Sequence, residues 1–411
     1  MTAADRDSLG SAAFVLSRPS GRVTAEGVDR RFDDAHAAAQ ALRTGTVGAV
    51  VGAFPFDLDD TAALITPHAL SRSEQPWRGE RGRSRTISSM ALHPDPDEHR
   101  ERIRRAIAEI GSGRLEKVVL ARSVDLTVEP EIDVDELIGA LAFGNSERNV
   151  FAVDLGALRD TPLALRSSGT GETSAHCSTG GETSEARYSG TGETSDGGGA
   201  ASGSAWLLGA SPESLVRKEG RVVTCQPYAG SAPRSADPVA DRAAGEALLS
   251  SAKDLAEHAF VVDHLRNRLG PLCSDLDAPG RPELRSTGEI WHLATPIRGI
   301  LRDESLTALD LALSLTPTPA VCGTPSTTAA QFIREVEGCR GLYGGAVGWC
   351  DEHGDGEWMV TIRCLELSTD RHRLRTWAGG GIVAQSDPQA EVDETTAKLR
   401  TVFNALGLEH P

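Results

Sequence analysis

Three strand-like runs follow one another late in the chain: Tyr343 to Cys350 (YGGAVGWC), Trp358 to Glu366 (WMVTIRCLE) and Leu374 to Trp377. The turns between them, Asp351 to Gly356 and Ser368 to Arg373, are short and polar, which predicts an antiparallel meander. Elsewhere strand-like runs and helical stretches alternate without the regular βαβ rhythm of a parallel sheet. The pattern predicts an α+β fold.

The meander feeds Trp377 to Lys398, WAGGGIVAQSDPQAEVDETTAK. A glycine turn is expected at 378–381. A helix is expected after Ser386-Asp387-Pro388, with Ser386 or Asp387 as N-cap and Pro388 in the first turn. It would carry Glu391, Glu394 and Lys398, and the last two share a face at i, i+4. Backbone bared by glycine beside a carboxylate and an ammonium suits a small anionic ligand, with or without a metal. Taken alone, the stretch favours a plain turn and a solvated helix with a surface ion pair, because such pairs are common.

Other local signals are clear. Asp95-Pro96-Asp97-Glu98 opens a helix whose apolar positions are Ile103, Ala106, Ile107 and Ile110, with Gly111 as the expected stop. Lys117 stands at the start of a strand running to Leu126. It becomes a candidate base only if that strand end faces a cavity, where desolvation could lower its pKa. Glu213 follows a Ser-Pro turn. Two helical stretches are expected at about 237–251 and 253–269. In the second, Asp254 and Glu257 share a face at i, i+3; such a pair is usually solvent-facing but can hold a hard divalent cation. Glu289 to Ile300 reads as one strand carrying His292. Between about 166 and 203 the motif SGTGETS recurs with almost nothing apolar, so this segment is expected to be a disordered insertion. Its glycines are not followed by the Lys-Ser/Thr of a phosphate loop.

The formal net charge of −17 argues against a nucleic-acid partner. No run approaches membrane-spanning length, and no signal peptide is visible. The seven cysteines are dispersed, which fits reduced thiols in a cytoplasm better than a disulfide frame or a zinc site.

The order of motifs is distinctive. KVVLAR from Lys117, LGASPE ending at Glu213, PYAGS ending at Ser231, KDLAEH from Lys253 and HLAT from His292 come first. PTPAVCGTP from Pro317, GLYGGAVGW from Gly341, GDGEWMVTIR ending at Arg363, AGGGIV from Ala378 and ETTAK from Glu394 follow. The series resembles the chorismate-utilising enzymes, and within them the isochorismate synthases of siderophore or menaquinone pathways. It spans about 95–408 apart from the insertion, with Phe54-Pro-Phe56 matching more weakly.

The resemblance implies large antiparallel sheet layers with helices packed outside, in a single chorismate-binding domain. Residues 1–92 would be its variable N-terminal part and 93–411 its catalytic core. It implies a magnesium ion held by Glu257 and Glu394, with Asp254 supporting or acting through water. Tyr343, Arg363, Lys398, the backbone at Gly379 and Gly381, and Gly230 match positions that hold the substrate's carboxylates. Lys117 matches a general base that activates water, and Glu213 a general acid that protonates a departing hydroxyl. His292 matches a position near the ring. Lys117, Ala229 and Ala320 sort this chain among the family's activities: they resemble the water-using members more than those that use ammonia, form a covalent lysine adduct or expel pyruvate. Gly380 and Ser231 depart mildly from the family's usual alanine and threonine. The implied protein is a cytoplasmic, monomeric enzyme acting on a small molecule, without nucleic-acid or membrane partners.

Overall fold

The computed structural model describes residues 7–145, 147–158, 204–286 and 290–409. The expected insertion at 166–203 lies outside the described residues. Every strand pairing among them is antiparallel.

Two large sheets dominate, one of ten strands and one of nine, beside a small three-stranded sheet. Phe14, Leu16, Phe151 and Leu207 of the first sheet pack against Val51, Ala53, Val347 and Met359 of the second, closing a sandwich. Helices cover the outer faces. Val134–Phe143 and the end of Pro388–Ala405 bury Leu137, Leu141, Val402 and Phe403 on one side. On the other, Ala252–Leu269, Ala308–Leu315 and Ser326–Glu337 bury Val261, Leu265, Leu311 and Phe332. The expected α+β architecture, sheet layers with helices outside, is present. Strands from the first ninety residues enter both sheets: Ala12–Arg18 pairs with Val150–Asp154 in one, and Ala49–Phe54 with Ala346–Asp351 in the other.

The capping signals hold. Asp95 Oδ1 accepts from Glu98 N at 2.8 Å, with Pro96 in the first turn of Pro96–Gly111. Asp387 accepts from Ala390 N at 2.9 Å and opens Pro388–Ala405. Gly111 is not the helix stop; it is the last helical residue, and Gly113, at φ 80°, makes the turn.

Three expectations are corrected. Residues 378–381, Ala and three glycines, are not a turn: the strand Arg373–Ile382 runs through them, pairing Gly379 with Ala121 and Gly381 with Val119 on Lys117–Glu129. The stretch Trp358 to Glu366 is not one strand. Gly356–Val360 belongs to one large sheet and Cys364–Ser368 to the other, and the chain crosses between them at 361–363. Glu289 to Ile300 likewise divides into Ile290–Ala294, in the small sheet, and Ile297–Leu301, in the nine-stranded one.

Candidate active site

The crossing at 361–363 lines a cavity together with strand residues of the large and small sheets and residues of two helices. Glu213, Gly230, Ser231, Glu257, His292, Ala320, Tyr343, Arg363, Gly379, Glu394 and Lys398 all line it. Of the expected site residues, only Lys117, Asp254 and Gly381 stand behind this lining. Lys117 has no exposed side-chain surface, and its Nζ lies 3.1 Å from Glu257 Oε1. The ammonium is off hydrogen-bonding geometry to every described acceptor, so the contact is a charge pair without a directed bond.

The bare strand makes room for this pair. A Cβ at Gly381 would sit 2.0 Å from Glu257 Oε1 and 3.1 Å from Lys117 Cε, and one at Gly379 would sit 2.9 Å from the Tyr343 hydroxyl. Side chains alternate across a strand, so Gly380 looks to the other face, where its Cβ would come 3.1 Å from Glu391 Oε2. Gly230, at φ 79°, is needed for its backbone, and a Cβ there would press to 3.0 Å from Asp254 Cβ.

Two helices bring in the acids. Ala252–Leu269 carries Asp254 and Glu257, and Pro388–Ala405 carries Glu391 and Glu394. Each glutamate faces its own lysine: Glu257 faces Lys117, Glu394 Oε1 lies 2.7 Å from Lys398 Nζ, and Glu391 Oε1 lies 2.7 Å from Lys253 Nζ. Ser231 Oγ donates to Glu394 Oε1 at 3.1 Å, and Lys398 Nζ donates to Gly379 O at 2.8 Å. Burial pushes the Glu394 carboxyl up, but Lys398, Lys253 and the Ser231 bond hold it below the ordinary range. Burial and then the Glu394 charge push Glu391 upward against Lys253. Burial also raises Asp254, against its bond from Ser251.

Glu213 also lines the cavity and is only 4% exposed. Burial pushes its carboxyl up to about 8, although Lys117, the Tyr228 backbone N–H and Lys398 pull the other way. It is therefore protonated at neutral pH. Desolvation lowers Arg363 to about 10 and His292 to about 3, the latter helped by Arg363 and Lys398, so His292 is neutral. Arg363 adopts φ 51°, a left-handed backbone for a non-glycine residue.

Several residues of the site escaped the sequence reading. Tyr228 and Trp377 line the cavity, with Trp377 stacked on Tyr343 at 5.7 Å and Tyr228 tilted 5.3 Å from His292. His258 is neutral, lowered to about 4 by burial. Its Nδ1 lies 3.2 Å from Ala229 O and its Nε2 2.7 Å from Thr295 Oγ1. A carbonyl only accepts, so Nδ1 carries the proton and Nε2 accepts from the hydroxyl. This ties the acid-bearing helix to the segment holding Gly230 and Ser231. Glu391, one turn before Glu394 on the same helix, repeats the i, i+3 spacing of Asp254 and Glu257.

The donor set suits a hard cation. The acids are oxygen donors, and Glu257 and Glu394 both reach the cavity wall; Glu391 Oε2, buried without a hydrogen-bond partner, lies on the Gly380 side of the strand and does not line the cavity. Among the described residues no group of three His, Cys, Asp or Glu side chains is placed to hold a metal ion by itself. Magnesium is usually held by one or two carboxylates with waters and ligand oxygens completing the shell, so an incomplete protein shell fits it.

Residues 59–158 and 199–407 match the model of the family described as chorismate binding enzyme. The chain belongs to the chorismate-binding enzyme family. The isochorismate synthase DhbC of Bacillus subtilis (strain 168) is 40% identical over 366 residues, covering 88% of this chain and 81% of its own. The MenF protein of Mycobacterium tuberculosis (strain ATCC 25618 / H37Rv) is 43% identical over 398 residues, 96% of either chain. The crystal structure of DhbC from Bacillus anthracis matches with a TM-score of 0.80 at 34% identity, over 98% of each chain. The family member described here is thus an enzyme of the chorismate-utilising group, with a small-molecule substrate. No helix among its described residues is long and apolar enough to cross a membrane.

Proposed function

We propose that this enzyme converts chorismate to isochorismate, an isomerisation in which water adds at ring carbon 2 as the hydroxyl at carbon 4 departs. The observation that carries the reading is the buried Glu213 carboxyl on the wall of the cavity that Glu257 also lines, with Lys117 buried against Glu257. Hydroxide leaves poorly, so the departing oxygen needs a proton, and water needs a base to become a nucleophile. Glu213 gives its proton to the oxygen at carbon 4, which leaves as water. For Lys117 to serve as the base, the proton it holds against Glu257 must first leave; it then takes a proton from the attacking water, whose oxygen bonds to carbon 2 while the ring double bonds shift. Atoms balance, since one water is consumed and one released.

Arg363, Tyr343, Lys398 and the backbone at Gly379, Gly381 and Gly230 hold the substrate's carboxylates. Arg363 does so with the planar fork suited to bidentate pairing. His292, neutral beside Arg363, positions the ring, and Ala320 leaves its side of the cavity small. Glu257 and Glu394 would hold magnesium directly, with Asp254 acting through water and Glu391 in the surrounding shell. When bound, the ion neutralises a substrate carboxylate that would otherwise meet these acids. The proposal includes a cytoplasmic location and a monomeric working form. Incubation with chorismate and magnesium, followed by separation of the products, tests it: isochorismate supports the reading. Salicylate with pyruvate as the main product overturns it in favour of a salicylate synthase, anthranilate formed with ammonium points to the amino-transferring branch, and binding without turnover points to a non-catalytic chorismate-binding subunit.

A further inference from the structure

A second cavity of about 460 Å³ adjoins the first, and Pro212 and Arg363 line both. The helix Pro388–Ala405 serves the two cavities with different faces. Glu394 and Lys398 turn to the first, whereas Ala397, Arg400, Thr401 and Asn404 turn to the second. Arg363 Nη1 donates to Thr401 Oγ1 at 3.3 Å, so the shared arginine is anchored on the second cavity's side.

The lining of this cavity is unusual for an acidic protein. Arg81, Arg363 and Arg400 contribute to it, and none of its described lining residues is an aspartate or glutamate. Arg81 and Arg400 are exposed and form no ion pair with a described residue, although most of the described arginines are paired. Arg81 lies over the Phe143 ring at 5.8 Å, and Phe143 is itself 57% exposed. Leu141 and Ile290 supply apolar wall beside it. Unpaired guanidinium groups next to apolar and aromatic surface complement a small ring that carries carboxylates.

We propose that this second cavity is an antechamber that binds the anionic ring substrate on its way to the active site. Arg81 and Arg400 gather the carboxylates at its mouth, and Arg363, held between the two cavities in a left-handed backbone that a non-glycine residue adopts only under constraint, receives them on the inner side. The inference rests on the proposed reaction for the identity of the ligand.

The test uses the full chain with magnesium and the double variant Arg81→Gln/Arg400→Gln. At low salt, kcat/KM for chorismate is expected to fall about fivefold through KM, with kcat retained, and its decline with added salt is expected to flatten, because screened steering charges have been removed. The same pair of substitutions in Glu213→Gln protein, which binds without turning over, is expected to weaken chorismate binding by a similar factor in a calorimetric titration. Unchanged kcat/KM, salt slope and affinity overturn the antechamber, and so does a loss confined to kcat, which would show the arginines acting on the chemistry through the fold. If the wild type fails to turn chorismate over, the proposed reaction fails, while the titration still decides the antechamber. If chorismate does not bind at all, both fall.

Discussion

Lys117 Nζ lies 3.1 Å from Glu257 Oε1, on a lysine with no exposed side-chain surface. The group proposed as base is thus the counter-charge of a carboxylate proposed as metal ligand. Replacing Lys117 by Ala removes both roles. Turnover is expected to fall by about 10²–10⁴, the usual range for a lost general base. Glu257, relieved of its ammonium, is expected to take magnesium at least as tightly as in the wild type. A calorimetric magnesium titration beside steady-state kinetics checks this; weakened magnesium binding with intact turnover would contradict it.

Glu213 gives a pH prediction with a definite sign. Its carboxyl is raised from 4.5 to about 8 by burial, so the reactive protonated form is lost as pH rises through about 8. The alkaline limb of kcat/KM is expected there, since that limb reports the essential acid of the free enzyme. Stability follows the same group. A folded-state pKa above the unfolded value gives a contribution that is full below about 4.5 and is lost as pH rises through about 8. Glu213→Gln, which cannot ionise, is therefore expected to gain stability relative to wild type between these limits, and denaturant titrations at several pH values measure it. A parallel pH profile for the two proteins would contradict it.

The sequence showed the local parts of this site and hid the long-range ones. Caps at Asp95 and Asp387 were legible because the residues that bond lie within three positions of each other. Tyr343, Arg363 and Lys398 were found through motif order, and the structure brings them to one cavity. Glycine misled: three in a row suggested a turn, yet they remain in a strand because Lys117–Glu129 pairs with them and Glu257 and Tyr343 occupy the space their side chains would fill. The break at Arg363 was also hidden, because period-two alternation continues from Val360 to Cys364 while the chain passes from one sheet to the other. The Lys253–Glu391 pair joins residues of two helices far apart in sequence, and no spacing rule connects them.

Gly381 should tolerate no side chain. In Gly381→Ala the new Cβ would overlap Glu257 Oε1 at 2.0 Å and must displace either the glutamate or the strand. Magnesium affinity is expected to fall by about 10–100-fold, the range seen when the support of a metal ligand is lost, with the fold retained. Gly379→Ala, at 2.9 Å from the movable Tyr343 hydroxyl, should act more weakly and through KM. Magnesium titration and kinetics of the two variants would rank them, and equal effects would contradict this account.

Arg340 and Glu337 form a buried pair beneath the cavity. Arg340 Nη1 donates to Val321 O at 2.6 Å and Nη2 to Val119 O at 2.8 Å, and Glu337 Oε1 accepts from Ala121 N at 2.7 Å. Arg340→Met leaves the Glu337 charge buried and two carbonyls without this donor. Removing one partner of such a pair typically destabilises by about 3–5 kcal/mol, which urea unfolding would detect. A loss below about 1 kcal/mol would place this pair with exposed ones.

Solvent water is expected to add at carbon 2 as the carbon 4 hydroxyl is lost. The most direct test is a brief incubation of the enzyme with chorismate and magnesium in ¹⁸O-enriched water, with the products separated and their mass and label position determined. Isochorismate carrying one solvent oxygen, placed at carbon 2, is expected. Isochorismate formed without label, or salicylate and pyruvate as the main products, would contradict it.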